Sequence, residues 1–293
     1  MKTTLEQWRA FQAVIEYGGY AQAAQALHRS QSSVSYLVAK LQDQLGVPLL
    51  EVEGRKAQLT EVGRVLLGHA QSLLTDAESI EQRAQRIRAG WEPELRLVVD
   101  VAFPTSCLAV ALDRFTHEAP LTRIQLTEVV LSGAEEAVLE HEADVMIGAY
   151  VPPGYLGSVL IQIEFVALAR FDHALHQLQR NVTEDDLKRY RHIIVRDSGT
   201  ENPRDEGWQG SVQRWTVSSL ETSLALVAGG LGFAWLPRHM AQRHIDQGVL
   251  KPLPMARGQS RMTPLHLVLG QGWAQAGPAT RLLAQVLEQA AAG

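Results

Sequence analysis

Cysteine is almost absent from this chain of 293 residues, and long apolar runs are missing. The one cysteine, Cys107, excludes an intrachain disulfide, a two-thiol redox switch and any metal site built from several thiolates. No stretch of about 18 consecutive apolar residues occurs, which excludes a transmembrane helix and a membrane partner. The start of the chain, MKTTLEQWRAFQAV, has no uninterrupted apolar segment. We therefore expect no export signal and a cytoplasmic location.

Neither sign of charge dominates, since 27 basic and 32 acidic residues give a net charge of −5. Residues 1–60 hold six basic and five acidic residues, whereas the chain after residue 90 holds 17 basic and 23 acidic ones. A slightly basic head on an acidic body weakly favours nucleic acid as the partner of the amino-terminal end. The length and the 46% of hydrophobic residues predict a folded protein of two domains.

The amino-terminal pattern is that of three short helices and a hairpin. Apolar residues recur at helical spacing over residues 5–15, and small residues dominate 20–27. A third helix, 30–46, begins at a serine of the N-cap type and ends at a glycine. Two apolar segments, 47–50 and 58–59, then flank a polar tip and read as short strands. This order of elements predicts a winged helix-turn-helix.

A long helix follows over residues 60–88, and its apolar residues repeat at steps of four and three. The seam consists of Leu66, Ala70, Leu73, Ala77, Ile80, Ala84 and Ile87. Three heptads of this kind are typical of a helix that pairs with a copy of itself. Packing of the helix on its own domain is the alternative interpretation. We favour dimerisation, because the helix joins two domains and has no nearby core to cover.

Beyond Pro93 the sequence alternates between strands and helices. Strands are expected at 95–101, 123–130, 144–149, 164–169, 193–196, 214–217, 232–236 and 265–269. Repeated strand–helix units of this kind predict two α/β lobes with a ligand crevice at the carboxyl ends of the strands. The predicted domains are therefore 1–60, 61–90 and 91–293. Within the third, the lobes are expected at about 91–163 plus 267–293 and at 164–266.

Residues 28–35, HRSQSSVS, carry the most specific motif, a Ser-Gln-x-x-Val-Ser helix start. Further matching positions are Leu41, Leu45, Gly46, Pro48, Leu49, Arg55, Leu59, Thr60 and Gly63. On these residues the chain resembles the LysR-type transcriptional regulators. The resemblance implies a winged helix-turn-helix, a linker helix and a two-lobed effector domain like that of periplasmic binding proteins. It also implies a homotetramer in which a ligand between the lobes changes the spacing of the DNA-binding heads.

Hydrogen-bonding side chains at the exposed start of a helix can read base edges in the major groove. The expected DNA contacts are Arg29, Ser30, Gln31, Ser32, Ser33, Ser35, Tyr36, Lys40, Arg55 and Lys56. Leu50 and Val52 stand where the family usually has an aromatic residue and an arginine, so Arg55 and Lys56 must supply the charge of the wing. A solvated polar helix face is the alternative interpretation of the same residues.

Polar residues also follow several predicted strands, where helix N-termini would favour an anion. The resemblance places the effector pocket at these loops. The expected effector contacts are Thr105, Ser106, Ser132, Gly133, Arg196, Asp197, Ser198, Thr200, Ser218 and Ser219. Ordinary helix capping is the alternative role for the serines. A small carboxylate or another anion is the hypothesis for the ligand.

The partners expected from this interpretation are double-stranded promoter DNA, a small-molecule effector, further copies of the chain and, for an activator, RNA polymerase. No cofactor is expected. A solute-binding protein is the second interpretation, but the helical head of 90 residues and the expected lack of an export signal argue against it. An enzyme is the third, and the sequence holds no catalytic constellation that would support it.

Overall fold

A computed structural model describes residues 2–53, 56–204 and 207–293 of the chain. By their mutual contacts the residues group into two units, Met1–Ala89 and Gly90–Gly293. A helical unit with a small hairpin precedes an α/β unit, in the order that the sequence predicts.

The longer helices of the first unit each follow a residue whose polar side chain caps the helix N-terminus. Its elements are α1 (Leu5–Glu16), α2 (Tyr20–Ala26), α3 (Gln31–Leu45), β1 (Leu50–Glu53), β2 (Lys56–Leu59) and α4 (Glu61–Arg88). The side-chain oxygens of Thr4, Ser30 and Thr60 accept hydrogen bonds from backbone N–H groups in the first turns of α1, α3 and α4. These bonds satisfy donors that have no partner inside a helix. Apolar side chains of α1 to α3, such as Phe11 and Val38, form the core of the unit.

The hairpin is shifted relative to the predicted strands. β1 begins at Leu50, not at residue 47. The backbone N–H groups of Leu49 and Leu50 both donate to the side-chain oxygen of Gln42, at 2.7 and 3.0 Å, which fixes the approach of the chain to the strand. β2 pairs antiparallel with β1, with Leu59 opposite Leu50. The tip of the hairpin, residues 54–55, lies outside the described residues.

Helix α4 has 28 residues and would span roughly 42 Å at ~1.5 Å per residue. Its first half packs on its own unit, where Gly63, Ala70 and Leu74 are buried. Further along, Ile80 and Ile87 are exposed by 67% and 56%. The predicted seam therefore divides into a part that belongs to the core of the unit and a part that the described residues leave uncovered.

The second unit alternates strands and helices. Its elements are β3 (Glu94–Asp100), α5 (Thr105–Glu118), β4 (Arg123–Val129), α6 (Ser132–Leu139), β5 (Val145–Gly148), β6 (Gly157–Arg170), α7 (Glu184–Leu187), β7 (His192–Val195), β8 (Arg214–Val217), α8 (Leu220–Ala228), β9 (Phe233–Pro237), α9 (Arg238–Asp246), β10 (Leu250–Pro252), β11 (Ser260–Leu269), α10 (Gly272–Gln275) and α11 (Pro278–Ala292). A short 3₁₀ helix, Ala174–Gln177, follows β6. Most predicted strands are present, with ends that move by one or two residues.

One mixed sheet runs through the whole unit, in the order β4-β3-β5-β11-β6-β9-β7-β8, with β10 beside β6. β4, β3 and β5 are parallel and form the first lobe with α5, α6 and α11. β7, β8 and β9 are parallel and form the second lobe with α8. The long antiparallel strands β6 and β11 connect the two lobes. We call these parts the first and the second lobe below.

The outer halves of β6 and β11, together with α9 and β10, were not predicted from the sequence. The missed half of β6 contains Val159, Leu160, Ile161 and Ile163, an apolar run that is typical of a strand and was overlooked. α9 is a polar helix in which Ala241 is the buried residue. Periodicity of apolar residues is the main sequence signal for helices and strands. Residues 260–264 of β11 and the three residues of β10 offer little of it, whereas Met240, Ala241 and Ile245 give α9 a short apolar side that was overlooked.

Candidate functional site

The start of α3 is held by its serine cap. The Oγ of Ser30 accepts a hydrogen bond from the backbone N–H of Ser33 at 3.1 Å and lies 3.0 Å from the Oγ of Ser32. At the other end, Gly46 ends the helix with a φ of +73°, which a glycine adopts without strain. The helix that carries the predicted DNA contacts is therefore fixed at both ends by local bonds.

One face of α3 is exposed and polar, whereas the opposite face is buried. Val34, Val38 and Leu41 point into the core of the first unit. The exposed side chains are Gln31, Ser32, Ser35, Tyr36 and Lys40. The ammonium group of Lys40 lies 5.6 Å from the centre of the Tyr36 ring. We call these five residues the α3 face.

The other predicted DNA contacts are placed differently. Arg29 is exposed and forms an ion pair with Glu6, at 2.5 Å. Ser33 is half-buried. Arg55 lies outside the described residues, and the side chain of Lys56 does too. The α3 face itself offers hydroxyl and amide groups that can donate and accept hydrogen bonds, together with one cation, which is the chemistry that base edges and phosphates need.

The second unit brings together five of the predicted effector contacts, which are Ser132, Gly133, Asp197, Ser198 and Thr200. The buried carboxylate of Asp197, in the second lobe, accepts hydrogen bonds from the backbone N–H and the hydroxyl of Ser132, at 3.1 and 2.7 Å. It also accepts from the backbone N–H groups of Gly199 and Arg204. Ser132 begins α6 in the first lobe, so the chain's own carboxylate occupies this helix N-terminus.

Neighbouring residues extend this contact between the lobes. The hydroxyl of Ser198 lies against the backbone of Val130, and a Cβ at Gly133 would overlap that hydroxyl. The carboxylate of Glu136 accepts hydrogen bonds from the backbone N–H groups of Thr200, Glu201 and Asn202. The bond from Thr200 is the main cause that lowers the pKa of Glu136.

Arg204 completes the arrangement, because it pairs with Glu135 at 2.9 Å and its guanidinium lies 3.7 Å from the centre of the Tyr150 ring. The segment 197–204 of the second lobe thus wraps the first turn of α6. We call this segment and α6 the inter-lobe clasp.

The remaining predicted effector contacts stay apart. Thr105 and Ser106 are exposed on the first turn of α5. Ser219 caps α8 by accepting hydrogen bonds from the backbone N–H groups of Glu221 and Thr222, and Ser218 is exposed beside it. Arg196 is exposed next to the clasp. Ser219 therefore has the capping role that the sequence left open as the alternative.

A cavity of about 450 Å³ lies where the lobes meet. The first lobe contributes the ends of β3 and β4 to its wall, and the second lobe contributes β7, the start of α8 and several aromatic side chains. The lining residues used below are Asp100, Leu131, Phe165, His192, Trp208, Leu220, Ser223, Trp235, Arg257 and Arg261. None of the ten predicted effector contacts belongs to the described wall of this cavity.

Sheet register explains how the aromatic part of the wall forms. His192 at the start of β7 lies opposite Phe233 at the start of β9, and their rings stack at 4.9 Å with an angle of 7°. Trp235 lies two residues further along β9 and so points to the same side as Phe233. The rings of Trp208 and Trp235 lie 5.7 and 5.4 Å from that of His192.

Two buried titratable groups face this cavity. Burial raises the pKa of Asp100 to about 6, although its carboxylate accepts hydrogen bonds from the backbone N–H groups of Ala102 and Leu131. Burial lowers the pKa of His192 to about 4, and the nearby cation Arg214 contributes. At neutral pH, Asp100 is therefore mostly ionised and His192 is neutral.

Two buried polar atoms in the wall have no hydrogen-bond partner within the described residues, the Nδ1 of His192 and the Oγ of Ser223. Neither residue was predicted from the sequence as part of the site, and neither were Trp208 and Trp235. Three tryptophans in the second lobe of a chain with 6% aromatic residues, Trp208, Trp215 and Trp235, were the available signal, and it does not separate the two in the wall from Trp215. Only the sheet register brings Trp208 and Trp235 together with His192.

The described residues contain no group of three His, Cys, Asp or Glu side chains that could hold a metal ion. In the same part of the chain, no helix is long and apolar enough to cross a membrane.

Comparison with known protein families places both units. Residues 5–64 match the family of bacterial regulatory helix-turn-helix proteins, lysR family, and residues 88–292 match the LysR substrate binding domain. The chain belongs to the LysR family of transcriptional regulators. This confirms the resemblance seen in residues 28–63. The LysR-family chain is therefore a DNA-binding transcriptional regulator with an effector-binding domain, and not an enzyme.

Relatives of this LysR-family regulator include two proteins of Escherichia coli strain K12. The HTH-type transcriptional regulator YeeY is 32% identical over 85% of this chain and 82% of its own length. The probable HTH-type transcriptional regulator YhaJ is 30% identical over 85% of each chain.

Two solved structures of LysR-type regulators show the same fold. CrgA from Neisseria meningitidis is 21% identical, covers 100% of both chains and has a TM-score of 0.53. Full-length LysG from Corynebacterium glutamicum, solved with bound effector Arg, is 18% identical, covers 99% of this chain and 98% of its own, and also has a TM-score of 0.53.

Proposed function

We propose that this LysR-family regulator reads promoter DNA with the α3 face, binds there as an oligomer, and responds to a small molecule held in the cavity between its lobes. The observation that carries the proposal is the capped helix α3, whose exposed side is polar along its whole first half. Gln31 can pair with adenine, and the hydroxyls of Ser32, Ser35 and Tyr36 can serve bases or phosphates.

Cations around the α3 face complete the DNA site in this proposal. Lys40 on α3, with Arg29, Arg55 and Lys56, would neutralise phosphates. Ser30 and Ser33 hold the first turn in place, because the Oγ of Ser30 accepts the N–H of Ser33. The first 60 residues carry a net charge of only +1, so we expect modest non-specific affinity and a strong contribution from binding as an oligomer.

The uncovered part of α4 supports pairing with a second copy. Leu73, Ile80 and Ile87 recur every seven residues and are exposed by 43%, 67% and 56%. A regular row of exposed large apolar side chains is typical of a surface that another helix covers. We propose a dimer through the seam of α4, and a tetramer formed by two such dimers.

The cavity between the lobes is the proposed effector site. Arg257 and Arg261 belong to its wall and would receive an anionic group on the effector. The clasp joins the two lobes through contacts with α6 that lie outside the cavity wall. Because of this connection, a ligand in the cavity could change how the lobes pack on each other. A ligand shifts the packing of the lobes only to the extent that it binds one arrangement better than the other.

The same proposal assigns DNA binding to residues 1–60, pairing to 61–90 and effector binding to 91–293, with lobes at 91–163 plus 267–293 and at 164–266. As a regulator of promoters the protein would act in the cytoplasm. If it activates transcription, it would also contact RNA polymerase.

DNA selection tests the first part of the proposal. The full-length protein is incubated with genomic fragments of its source bacterium at 150 mM salt, beside a Gln31→Ala, Ser35→Ala double variant and a Gln71→Ala, Ser72→Ala control on the exposed side of α4. We expect the wild type and the control to enrich a few promoter fragments with a dyad motif. The α3 variant should lose at least tenfold in affinity, since one good base contact contributes about 1–3 kcal/mol. Equal enrichment by all three proteins would contradict a reading role for α3.

Sedimentation tests the oligomer. Ile80→Glu places a charge in the seam of α4, whereas Gln82→Glu places the same charge two residues away, outside the seam. We expect the wild type and Gln82→Glu to sediment as dimers or tetramers and Ile80→Glu to dissociate at a concentration at least tenfold higher. Identical sedimentation of the two variants would show that copies pair elsewhere.

A further inference from the structure

The cavity between the lobes has an aromatic wall in a chain that is otherwise poor in aromatic residues. His192, Trp208 and Trp235 contact one another, and Phe165 lies in the same wall. The indole N–H of Trp235 donates to the backbone carbonyl of Gly258 at 2.9 Å. This is the one hydrogen-bond donor of the side chain, so Trp235 offers the cavity its π surface alone.

Apolar side chains complete this part of the wall. The strand residues 193–195 and Leu220 at the start of α8 line the cavity beside the rings. Flat ligands gain from such a wall because aromatic pairs stack or meet edge to face, beyond the gain from burial alone. A saturated molecule of the same size would keep the burial but lose the ring contacts.

The two unpartnered polar atoms indicate what the edge of the ligand carries. The side chains of His192 and Ser223 are 5% and 1% exposed, and neither Nδ1 nor Oγ has a partner within the described residues. A buried polar atom without a hydrogen bond costs stability. The described residues hold six other such atoms outside the cavity wall, and these two are the ones whose residues a ligand in the cavity would contact. Both atoms can meet a hydroxyl or a ring N–H, which is able to donate a hydrogen bond.

The charged groups of the wall balance one another. Asp100 already accepts two backbone N–H groups, and Glu184 adds a second carboxylate. Arg257 and Arg261 contribute two cations, and the guanidinium of Arg261 lies 4.9 Å from the centre of the Phe165 ring. These four charges cancel, so the ring system sets the ligand class, and an anionic group attached to the ring would meet Arg257 or Arg261 as proposed above.

We propose that the cavity binds a flat aromatic molecule of one or two rings, stacked against Trp208 and Trp235, whose hydroxyl or ring N–H group forms hydrogen bonds with His192 and Ser223. The inference rests on the proposed function in taking this cavity as the effector site. It adds the chemical class of the ligand.

Calorimetric titration of the full-length protein with matched probes tests the proposal. Phenol, indole and 2-naphthol have an aromatic ring and a donor, naphthalene has the rings alone, and decahydro-2-naphthol has the hydroxyl on a saturated skeleton. We expect at least one of the first three to bind once per chain. 2-Naphthol should bind at least tenfold more tightly than decahydro-2-naphthol and about fivefold more tightly than naphthalene. The proposal fails if none of the three binds at 1 mM, or if the saturated probe binds as tightly as 2-naphthol.

Variants assign the contacts to residues. Ser223→Ala and His192→Phe should each weaken the best aromatic donor about fivefold and leave naphthalene unchanged, because they remove a hydrogen bond and keep the shape of the wall. Trp235→Leu should weaken both by at least tenfold. Trp215→Leu is the control, since that indole is exposed and stacked under Arg191 outside the cavity wall. If His192→Phe does not fold, Ser223→Ala decides alone, and an unchanged affinity for the aromatic donor would overturn its assigned contact.

DNA binding separates the two proposals. An aromatic donor that binds the cavity without altering promoter affinity would support the ligand class and contradict the effector role of the cavity. A non-aromatic compound that alters promoter affinity and loses its effect in Trp235→Leu, while the aromatic probes do not bind, would support the effector role and overturn the ligand class.

Discussion

The α3 face and the cavity between the lobes, the two proposed binding sites, present polar groups in opposite ways. On α3 the functional side chains are exposed, and the backbone beneath them is fixed by a serine cap and an apolar face. In the cavity the groups are buried, and two of them lack a hydrogen-bond partner among the described residues.

This difference has an energetic consequence. An exposed polar side chain is hydrated when no partner is bound, so its replacement changes affinity and leaves stability nearly unchanged. A buried polar group contributes to or subtracts from stability even in the free protein, because burial removes its water. Variants of the buried polar groups in the second unit should therefore affect folding first, and variants of the α3 face should affect DNA binding alone.

Asp197→Ala should give the largest effect. The substitution removes the acceptor of four hydrogen bonds in the inter-lobe clasp and leaves the first turn of α6 without its carboxylate. We expect the second unit to lose about 3 kcal/mol or more of its free energy of unfolding. Urea unfolding followed by tryptophan fluorescence measures it, since five of the six tryptophans belong to this unit.

The matched control for the clasp is Asp185→Ala. Asp185 is exposed and pairs with Lys188, so its loss should leave stability nearly unchanged. Equal losses in the two variants would contradict the importance of the clasp, and the difference between the two units would then lose its main support.

The stability of the second unit should depend on pH through the two buried titratable groups of the cavity, Asp100 and His192. Asp100 has a pKa raised to about 6, so its burial favours the folded state at low pH, and this contribution is lost as the pH rises from 4 to 6. His192 has a pKa lowered to about 4, so its burial favours the folded state above pH 6.5, and this contribution is lost as the pH falls to 4. In the wild type the two slopes oppose each other.

Each single variant should remove the pH dependence of stability that comes from one of the two groups and leave that of the other. Relative to the wild type, Asp100→Asn should gain stability as the pH rises from 4 to 6, and His192→Phe should lose stability as the pH rises from 4 to 6.5, each by about 3 kcal/mol. Urea midpoints at constant ionic strength measure both. Parallel curves for the wild type and both variants would show that neither group titrates in this window.

Two glycines of α4 provide the test for the first unit. A Cβ at Gly63 would overlap the backbone carbonyl oxygen of Leu49, whereas nothing lies within 4 Å of a Cβ at Gly68. Gly63→Ala should therefore destabilise the unit by about 2 kcal/mol, and Gly68→Ala should stabilise it by roughly 1 kcal/mol. Thermal unfolding followed by circular dichroism distinguishes them. A loss in both variants would point to a role of Gly68 that the described residues do not contain.

The sequence predicted α3 well because every signal for it is local. Ser30 and Gly46 mark its ends, and Val34, Val38 and Leu41 give one apolar face. All of these lie within 17 residues of one another. An exposed functional face follows directly from such a pattern, since it is what remains when the apolar positions turn inward.

The cavity could not be predicted in the same way. His192, Trp208 and Trp235 become neighbours only through the register of β7 and β9. The sequence placed an anion at the N-terminus of α6, where the folded chain places its own Asp197 from 65 residues away. A helix start shows that backbone donors are present, but only the tertiary structure shows whether a distant carboxylate already satisfies them.

The smallest effect is expected for the serine cap of α3, the hydrogen bond between the N–H of Ser33 and the Oγ of Ser30. Ser30→Ala removes the acceptor for the N–H of Ser33 and should cost about 1 kcal/mol, whereas Ser30→Asp restores an acceptor and adds a negative charge near the phosphates of bound DNA. We therefore expect Ser30→Ala to lower stability with a modest loss of promoter affinity, and Ser30→Asp to keep stability and lose affinity. Thermal unfolding and promoter titration at two salt concentrations separate these outcomes, because the charge effect weakens as salt rises. If both variants lost affinity and stability in parallel, DNA binding by the α3 face would depend on the stability that the Ser30 cap provides.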